Sequence, residues 1–270
     1  MTANGHALFI EGIAFWASGL PGWEFAKPVL CGTAAPPESA ARRPAPEMLP
    51  PAERRRAPDS VTIAIDVAAH ACAAAARDPA ELPSVFATTH GDLTITDQLC
   101  ETLAKTPLHT SPTKFHNSVH NAAAGYWCIA TGCLAPYTTV SVSRYSYAAG
   151  LLEAFVQAWS DETSVLYVAY DIEACGPLVP VATSRGLLGA GLVLGPRRLP
   201  GSVGPLSWSV RRGNAGGATR PDPRNASLVE GNAMASCLPF FETLARGAGS
   251  TTLALGPESL LDVVVHDERP

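Results

Sequence analysis

The chain has 270 residues, a formal net charge of −5 and a sequence pI near 5.8. That acidic balance, with no basic stripe beyond Arg54 to Arg56, speaks against nucleic-acid and anionic-membrane binding, both of which need a basic footprint. Hydrophobic residues at 47% against charged ones at 16% describe a globular protein that is apolar for its size, and predict that some of its surface is covered by a partner.

The seven cysteines (Cys31, Cys72, Cys100, Cys128, Cys133, Cys175, Cys237) are scattered and odd in number, so they read as buried free thiols in a reducing cytoplasm. Cys128 and Cys133, the nearest pair, match neither a zinc-knuckle nor a redox spacing, and neither a metal nor a cofactor is expected. The start MTANGH lacks a charged region followed by a long apolar stretch, and no window reaches the apolar length of a membrane span. A cytoplasmic protein is the expectation.

Taken in order, Leu8 to Phe15 reads as a strand with two apolar faces, and Gly19 to Trp23 as a turn opening a short helix. Between Ala34 and Pro58, seven prolines forbid a sustained helix or central strand and predict an extended surface segment. Asp59 and Ser60 are good N-caps for an alanine-heavy helix over Val61 to Ala76, in which His70 reads as a hydrogen-bonded core residue. A short strand follows at Ser84 to Thr88. His90-Gly91-Asp92 then leads into a helix over Leu93 to Lys105, with Asp92 as a helix cap in preference to a catalytic partner of His90. This β, turn, α order fits an α/β sheet carrying helices on its faces.

The central stretch runs from Phe115 to Ser160. Asn117 to Thr131 has a helical pattern in which Ala122, Ala123, Ala124 and Gly125 precede the bulky Tyr126 and Trp127, so a buried, tightly packed helix is predicted. His116 and His120, four apart, have no glutamate after the first and no third ligand, which favours structural or interface roles over zinc. Gly132 can end the helix in the left-handed conformation, and Pro136 blocks continuation. A β-branched strand over Tyr137 to Ser143 then delivers a turn into a second helix from about Ser146, apolar on almost every side and hence central. Strands are expected at Val165 to Tyr170 and Gly186 to Leu194, the latter because GLLGAGLVL has neither a GxGxxG nor a Gly-Lys-Ser/Thr continuation. Beyond Pro196 the chain reads as irregular, with a short strand at Leu206 to Val210, a helix at Ala235 to Arg246 and two closing strands at Thr251 to Leu255 and Leu261 to Val265.

The motifs HNSVHNAAAGYW, then the β run, then SYAAGLLEA, together with FIEGIAFWASGLPGW, ERRRAPDSV and LPSVFATTHGD, resemble the β-ketoacyl synthase branch of the thiolase superfamily over roughly residues 7 to 195. More narrowly they are similar to the short chain-length-factor proteins found with aryl-polyene and xanthomonadin-type pigment pathways. The resemblance implies an α/β, thiolase-like fold: a mixed five-stranded sheet with a buried central helix, truncated to essentially the N-terminal half of a ketosynthase. One domain over residues 1–270 is expected, with a proline-rich surface segment at 34–58 and an irregular region at 196–270.

In active members of that family the turn before the buried helix carries the acyl-accepting cysteine. Counting from Pro136 without gaps puts Arg144 at that place, and counting back from the helix with one gap puts Tyr145 there; neither is a thiol. The catalytic histidines implied by the resemblance belong to a second half that this sequence does not reach, and His266 lies too near the C-terminus to be one. The resemblance therefore implies a non-catalytic subunit that pairs with a full-length β-ketoacyl synthase, shapes its acyl tunnel and meets the acyl carrier protein through the complex. Asn117, His120, Asn121, Tyr126 and Trp127 are its tunnel or interface candidates, with Ser146 and Tyr147 beside the vacated nucleophile position. The other reading is a stand-alone acyltransferase or thioesterase-like enzyme, with Cys128, Cys133, Ser143 or Ser146 as nucleophile and His90, His116 or His120 as base. No candidate nucleophile sits in a motif of known mechanical meaning such as GxSxG.

Overall fold

The computed structural model describes residues 7–39 and 41–267. Residues 1–6, on which the reading of the chain's start rests, and Ala40 in the proline-rich segment lie outside the described residues.

The first strand, β1 (Leu8–Ala17), turns through β2 (Leu20–Pro21) into helix α1 (Trp23–Leu30). The proline-rich segment is irregular except for one turn of helix, α2 (Pro51–Arg54), started by proline at its first position where no amide is needed. Next come α3 (Asp59–Ala74), β3 (Ser84–Ala87), α4 (Leu93–Lys105), α5 (Pro112–Asn117), α6 (Ala122–Thr131), β4 (Tyr137–Val140), α7 (Ser146–Ser160), β5 (Val165–Asp171) and β6 (Leu188–Gly195). The last part contains β7 (Val203–Arg212), α8 (Pro223–Ala226), α9 (Leu238–Arg246), β8 (Gly249–Gly256) and β9 (Ser259–Val265).

Among the described residues the strands form one mixed sheet in the order β4-β3-β5-β6-β1-β7-β9-β8, with β2 on the end of β1. β3 runs parallel to β4 and β5, and the remaining pairs are antiparallel. The five-stranded sheet implied by the resemblance is the β4-β3-β5-β6-β1 portion. The sheet does not stop there: the three strands expected beyond Pro196 join it as β7, β9 and β8, because Leu206, Leu253, Leu261, Val263 and Val265 need a core and find it on the same face as α7. At its far end β8 is closed in the middle by Thr219, whose amide donates to the Thr252 carbonyl (2.8 Å) and whose Oγ1 accepts from the Thr252 amide (2.9 Å).

Helix α3 covers one face of the sheet and α7 the other. On the α3 side the backbones nearly touch: a Cβ at Gly12 would lie 2.2 Å from the Ala71 carbonyl oxygen, and one at Gly191 would lie 2.5 Å from that of Val67. On the opposite face a Cβ at Gly150 of α7 would meet the Ala87 Cβ at 2.7 Å and the Tyr167 ring at 2.9 Å. α7 also touches β6 and β8, so the added strands curl around it.

Four details depart from the sequence reading. Pro58, not Asp59 or Ser60, is the N-cap of α3; Asp59 pairs with Arg43 (2.6 Å) and the Ser60 hydroxyl donates to Asp92 (2.7 Å), so both side chains serve tertiary contacts instead. His70 is not a core residue: it lies on the solvent face of α3, where hydrogen bonding to Asp66 raises its pKa to about 9. Cys100 is exposed, whereas Cys72, Cys133 and Cys237 are buried. α7 is central but not fully wrapped, since Val156 and Trp159 remain exposed. No helix among the described residues is long and apolar enough to cross a membrane.

Because a side chain at Gly191 meets helix backbone, which cannot swing aside, Gly191→Ala is expected to lower stability by about 1–3 kcal/mol, read as a reduced urea midpoint with an unchanged slope.

Candidate functional site

Three chain segments meet at one end of the sheet: the loop after β3, the turn between β4 and α7, and the end of β5. Asp171, the last residue of β5, is fully buried, and its carboxylate accepts from the Thr88 hydroxyl (3.0 Å), the Thr89 amide (2.9 Å) and the His90 amide (3.1 Å). Burial pushes this carboxyl's pKa upward, and those hydrogen bonds oppose the shift by stabilising the charged form. The loop after β3 is thereby fixed. Thr89 passes the restraint on, since its hydroxyl donates to the Ser143 carbonyl (3.4 Å) and its own carbonyl accepts from the Ser141 hydroxyl (3.2 Å).

The turn itself is tight. Ser143 has φ +49°, a conformation that costs a residue with a Cβ and persists only where its surroundings hold it. Ser146 supplies much of that hold: its Oγ accepts from the Val142 amide (2.8 Å) and donates to the Ser143 carbonyl (2.7 Å). The Tyr145 amide also donates to the Val142 carbonyl (3.0 Å). The result lifts Arg144 out of the turn at the N-terminus of α7. Arg144 is exposed, its guanidinium carbon lies 5.5 Å from the centroid of the Tyr145 ring, and it makes no ion pair among the described residues. Beside it opens a cavity of about 520 Å³, whose other wall comes from the 215–221 loop, the 233–239 segment and β8.

The helix expected over Asn117 to Thr131 starts later, as α6 at Ala122, and a separate short helix, α5, ends at Asn117. The Ser118 hydroxyl donates back to the Phe115 carbonyl (2.8 Å), ending α5, while the Tyr170 hydroxyl reaches the His120 carbonyl (3.5 Å) and fixes the break. Asn117 is buried, with its carboxamide oxygen unpaired, whereas Asn121 donates to the Tyr137 hydroxyl (3.3 Å) at the edge of the sheet. The His116 and Tyr126 rings lie 6.4 Å apart. Trp127 faces inward, fully buried against α3 and β5 with its indole N–H unpaired, so it is a core residue. Tyr147 likewise packs in the core, its ring 5.8 Å from that of Tyr167. α6 is therefore buried on one side only: Ile129 is 76% exposed and Leu134, just after the helix, 97%.

The groups considered for nucleophilic chemistry are not assembled. Ser146 has its hydroxyl committed to closing the turn, and burial raises the pKa of Cys128. Among the described residues no hydrogen bond joins the side chain of His90, His116 or His120 to Cys128, Cys133, Ser143 or Ser146, and no cluster of three or more His, Cys, Asp or Glu could hold a metal ion. Asp92 caps α4 through the Ile95 amide (2.9 Å). Asp171 and Thr89, which sequence reasoning missed, hold the site together; an acidic residue closing the otherwise apolar run VLYVAYD was the available signal.

A mixed sheet that delivers a pinned turn into a helix buried on its face is the thiolase-like arrangement. Residues 32–190 match the family model described as β-ketoacyl synthase, N-terminal domain, and the chain belongs to that family. Among solved structures, a chain of the ketosynthase (ApeO) in complex with its chain length factor (ApeC) from Xenorhabdus doucetiae superposes with a TM-score of 0.72 at 21% identity, over 96% of this chain and 100% of that one. The ishigamide ketosynthase/chain length factor gives 0.68 at 14% identity, over 96% and 99% of the two chains. A type II polyketide synthase acyl-carrier protein in complex with its hexaketide-bound ketosynthase gives 0.73 at 9% identity, over 97% and 99%. At these identities the likeness is one of fold. No curated protein sequence matches the chain.

Two outcomes test the turn. Ser146→Ala leaves the Val142 amide without its partner and is expected to cost about 1–3 kcal/mol in denaturant unfolding. Arg144→Cys places a thiol at a helix N-terminus, so its alkylation by iodoacetamide at neutral pH is expected to outpace that of the exposed Cys100.

Proposed function

We propose that this chain is a non-catalytic chain-length-factor subunit, which pairs with a full-length β-ketoacyl synthase in the cytoplasm and shapes its acyl tunnel during elongation of a carrier-bound chain. The observation that carries this reading is a turn kept intact around an arginine. Its pinning by Asp171, Thr89 and Ser146 is what a nucleophile would need, yet the residue it presents can neither accept an acyl group nor lose its charge.

The surface next to the turn supports the pairing. β4 lies at the edge of the sheet with one side unpaired, and Phe115, Val119, Ile129, Leu134, Tyr137 and Val142 leave apolar area exposed around it. An open strand edge flanked by apolar side chains favours strand addition or helix packing by a second protein. The ketosynthase and chain length factor described together in two of the matched structures are the kind of complex this reading expects. The acyl carrier protein would be met through the complex.

Co-expression with a full-length β-ketoacyl synthase encoded beside it is expected to yield a 1:1 complex by light scattering. Ile129→Glu combined with Leu134→Glu should weaken that complex at least tenfold without changing the melting transition of the isolated chain, because both positions are exposed. Incubated alone with acyl-loaded carrier protein, the chain should gain no covalent mass. An acyl adduct on it would establish the stand-alone enzyme instead.

A further inference from the structure

The cavity beside Arg144 has a composition that pairing with another subunit does not explain. Of the residues lining it Arg144 alone is charged, and the wall facing it is small and apolar: Ala235, Pro239, Leu253 and Ala254. Three carboxylates on neighbouring segments are already engaged. Asp222 is held by Arg224 (2.6 Å), Glu242 accepts from the Asp222 amide (3.0 Å) and from Asn225 (2.8 Å), and Asp262 accepts from Arg211 and the Thr252 hydroxyl. Arg144 thus stands at the lip of an apolar recess with no ion-pair partner among the described residues. Its guanidinium lies near the Tyr145 ring, a contact that restrains the flat fork without using its donors.

We propose that this cavity binds an amphipathic carboxylate without forming a covalent bond. The head group lies on the Arg144 guanidinium, and the apolar body rests on Ala235, Pro239, Leu253 and Ala254. A carboxylate matches the guanidinium through two parallel hydrogen bonds, which a neutral alcohol cannot do and a cation opposes. The volume of about 520 Å³ falls within the range of small-molecule sites. Tyr145 and Ser236 also line the cavity, and their hydroxyls form no hydrogen bond among the described residues. The apolar wall lies between residues 215 and 254, beyond the 32–190 stretch matched by the family model, so the recess is built by the part of the chain outside that match.

This inference goes beyond the pairing reading and needs only the isolated chain, so either can fail alone. Isothermal titration of the chain with octanoate, 1-octanol and octylamine is the test. Octanoate is expected to bind at least tenfold more tightly than octanol, and octylamine not measurably. Arg144→Gln, at an exposed position where folding is readily verified by circular dichroism, should bring octanoate down to the level of octanol; Arg144→Lys should recover part of the difference. Ala235→Phe, which fills the recess, should weaken octanoate and octanol alike. Equal affinity for acid and alcohol, an unchanged octanoate affinity in Arg144→Gln, or insensitivity to Ala235→Phe would each overturn the assignment.

Discussion

The structure depends on how closely α3 lies against β1 and β6. Gly12 and Gly191 leave room for the carbonyls of Ala71 and Val67 at distances no side chain would permit, so helix and sheet are locked at one separation and one angle. On the opposite face Gly150 does the same for α7 over Ala87 and Tyr167. With both helices fixed to the same central strands, the ends of β3, β4 and β5 are held in mutual register. The turn into α7 inherits that rigidity.

Rigidity at the turn is reinforced by a relay of polar contacts. A buried carboxylate is costly unless its oxygens are satisfied, and Asp171 is satisfied by the loop it positions. Thr89 then ties that loop to Ser141 and Ser143. A left-handed serine and a fully engaged Ser146 are affordable only in such a frame. The frame matters for function because a guanidinium on a loose loop would lose much of its selectivity to conformational freedom, whereas one lifted from a pinned turn meets a ligand or partner in a set orientation.

Much of the fold could be read from the residues. The apolar runs of β1, β5 and β6, the β-branched stretch of β4, the capping Asp92 and the left-handed Gly132 all report local preferences that the tertiary structure keeps. Where reading failed, long-range contacts decided. The break between α5 and α6 lies under the Tyr170 hydroxyl, fifty residues away from His120, and Ser60 abandons its capping role for Asp92. The turn itself was visible, with Arg144 at it by the count from Pro136 and Tyr145 by the count back from the helix. Its surroundings were not: the helix and closing strand that supply the wall of the cavity were each expected from the residues, but nothing local says that segments up to about a hundred residues further on pack beside the turn. Trp127 was read both as bulk in a buried helix and as a tunnel or interface candidate, and its burial against α3 agrees with the first; helical periodicity cannot say which side of α6 meets α3 until the start of the helix is known.

The Thr219 closure of β8 bears on how large an assembly can grow. With the middle of β8 engaged by the chain's own backbone and hydroxyl, β4 is the more open of the two rims among the described residues. Strand addition between two copies at β4 would use up that rim on both, so growth by this mode alone would stop at a pair.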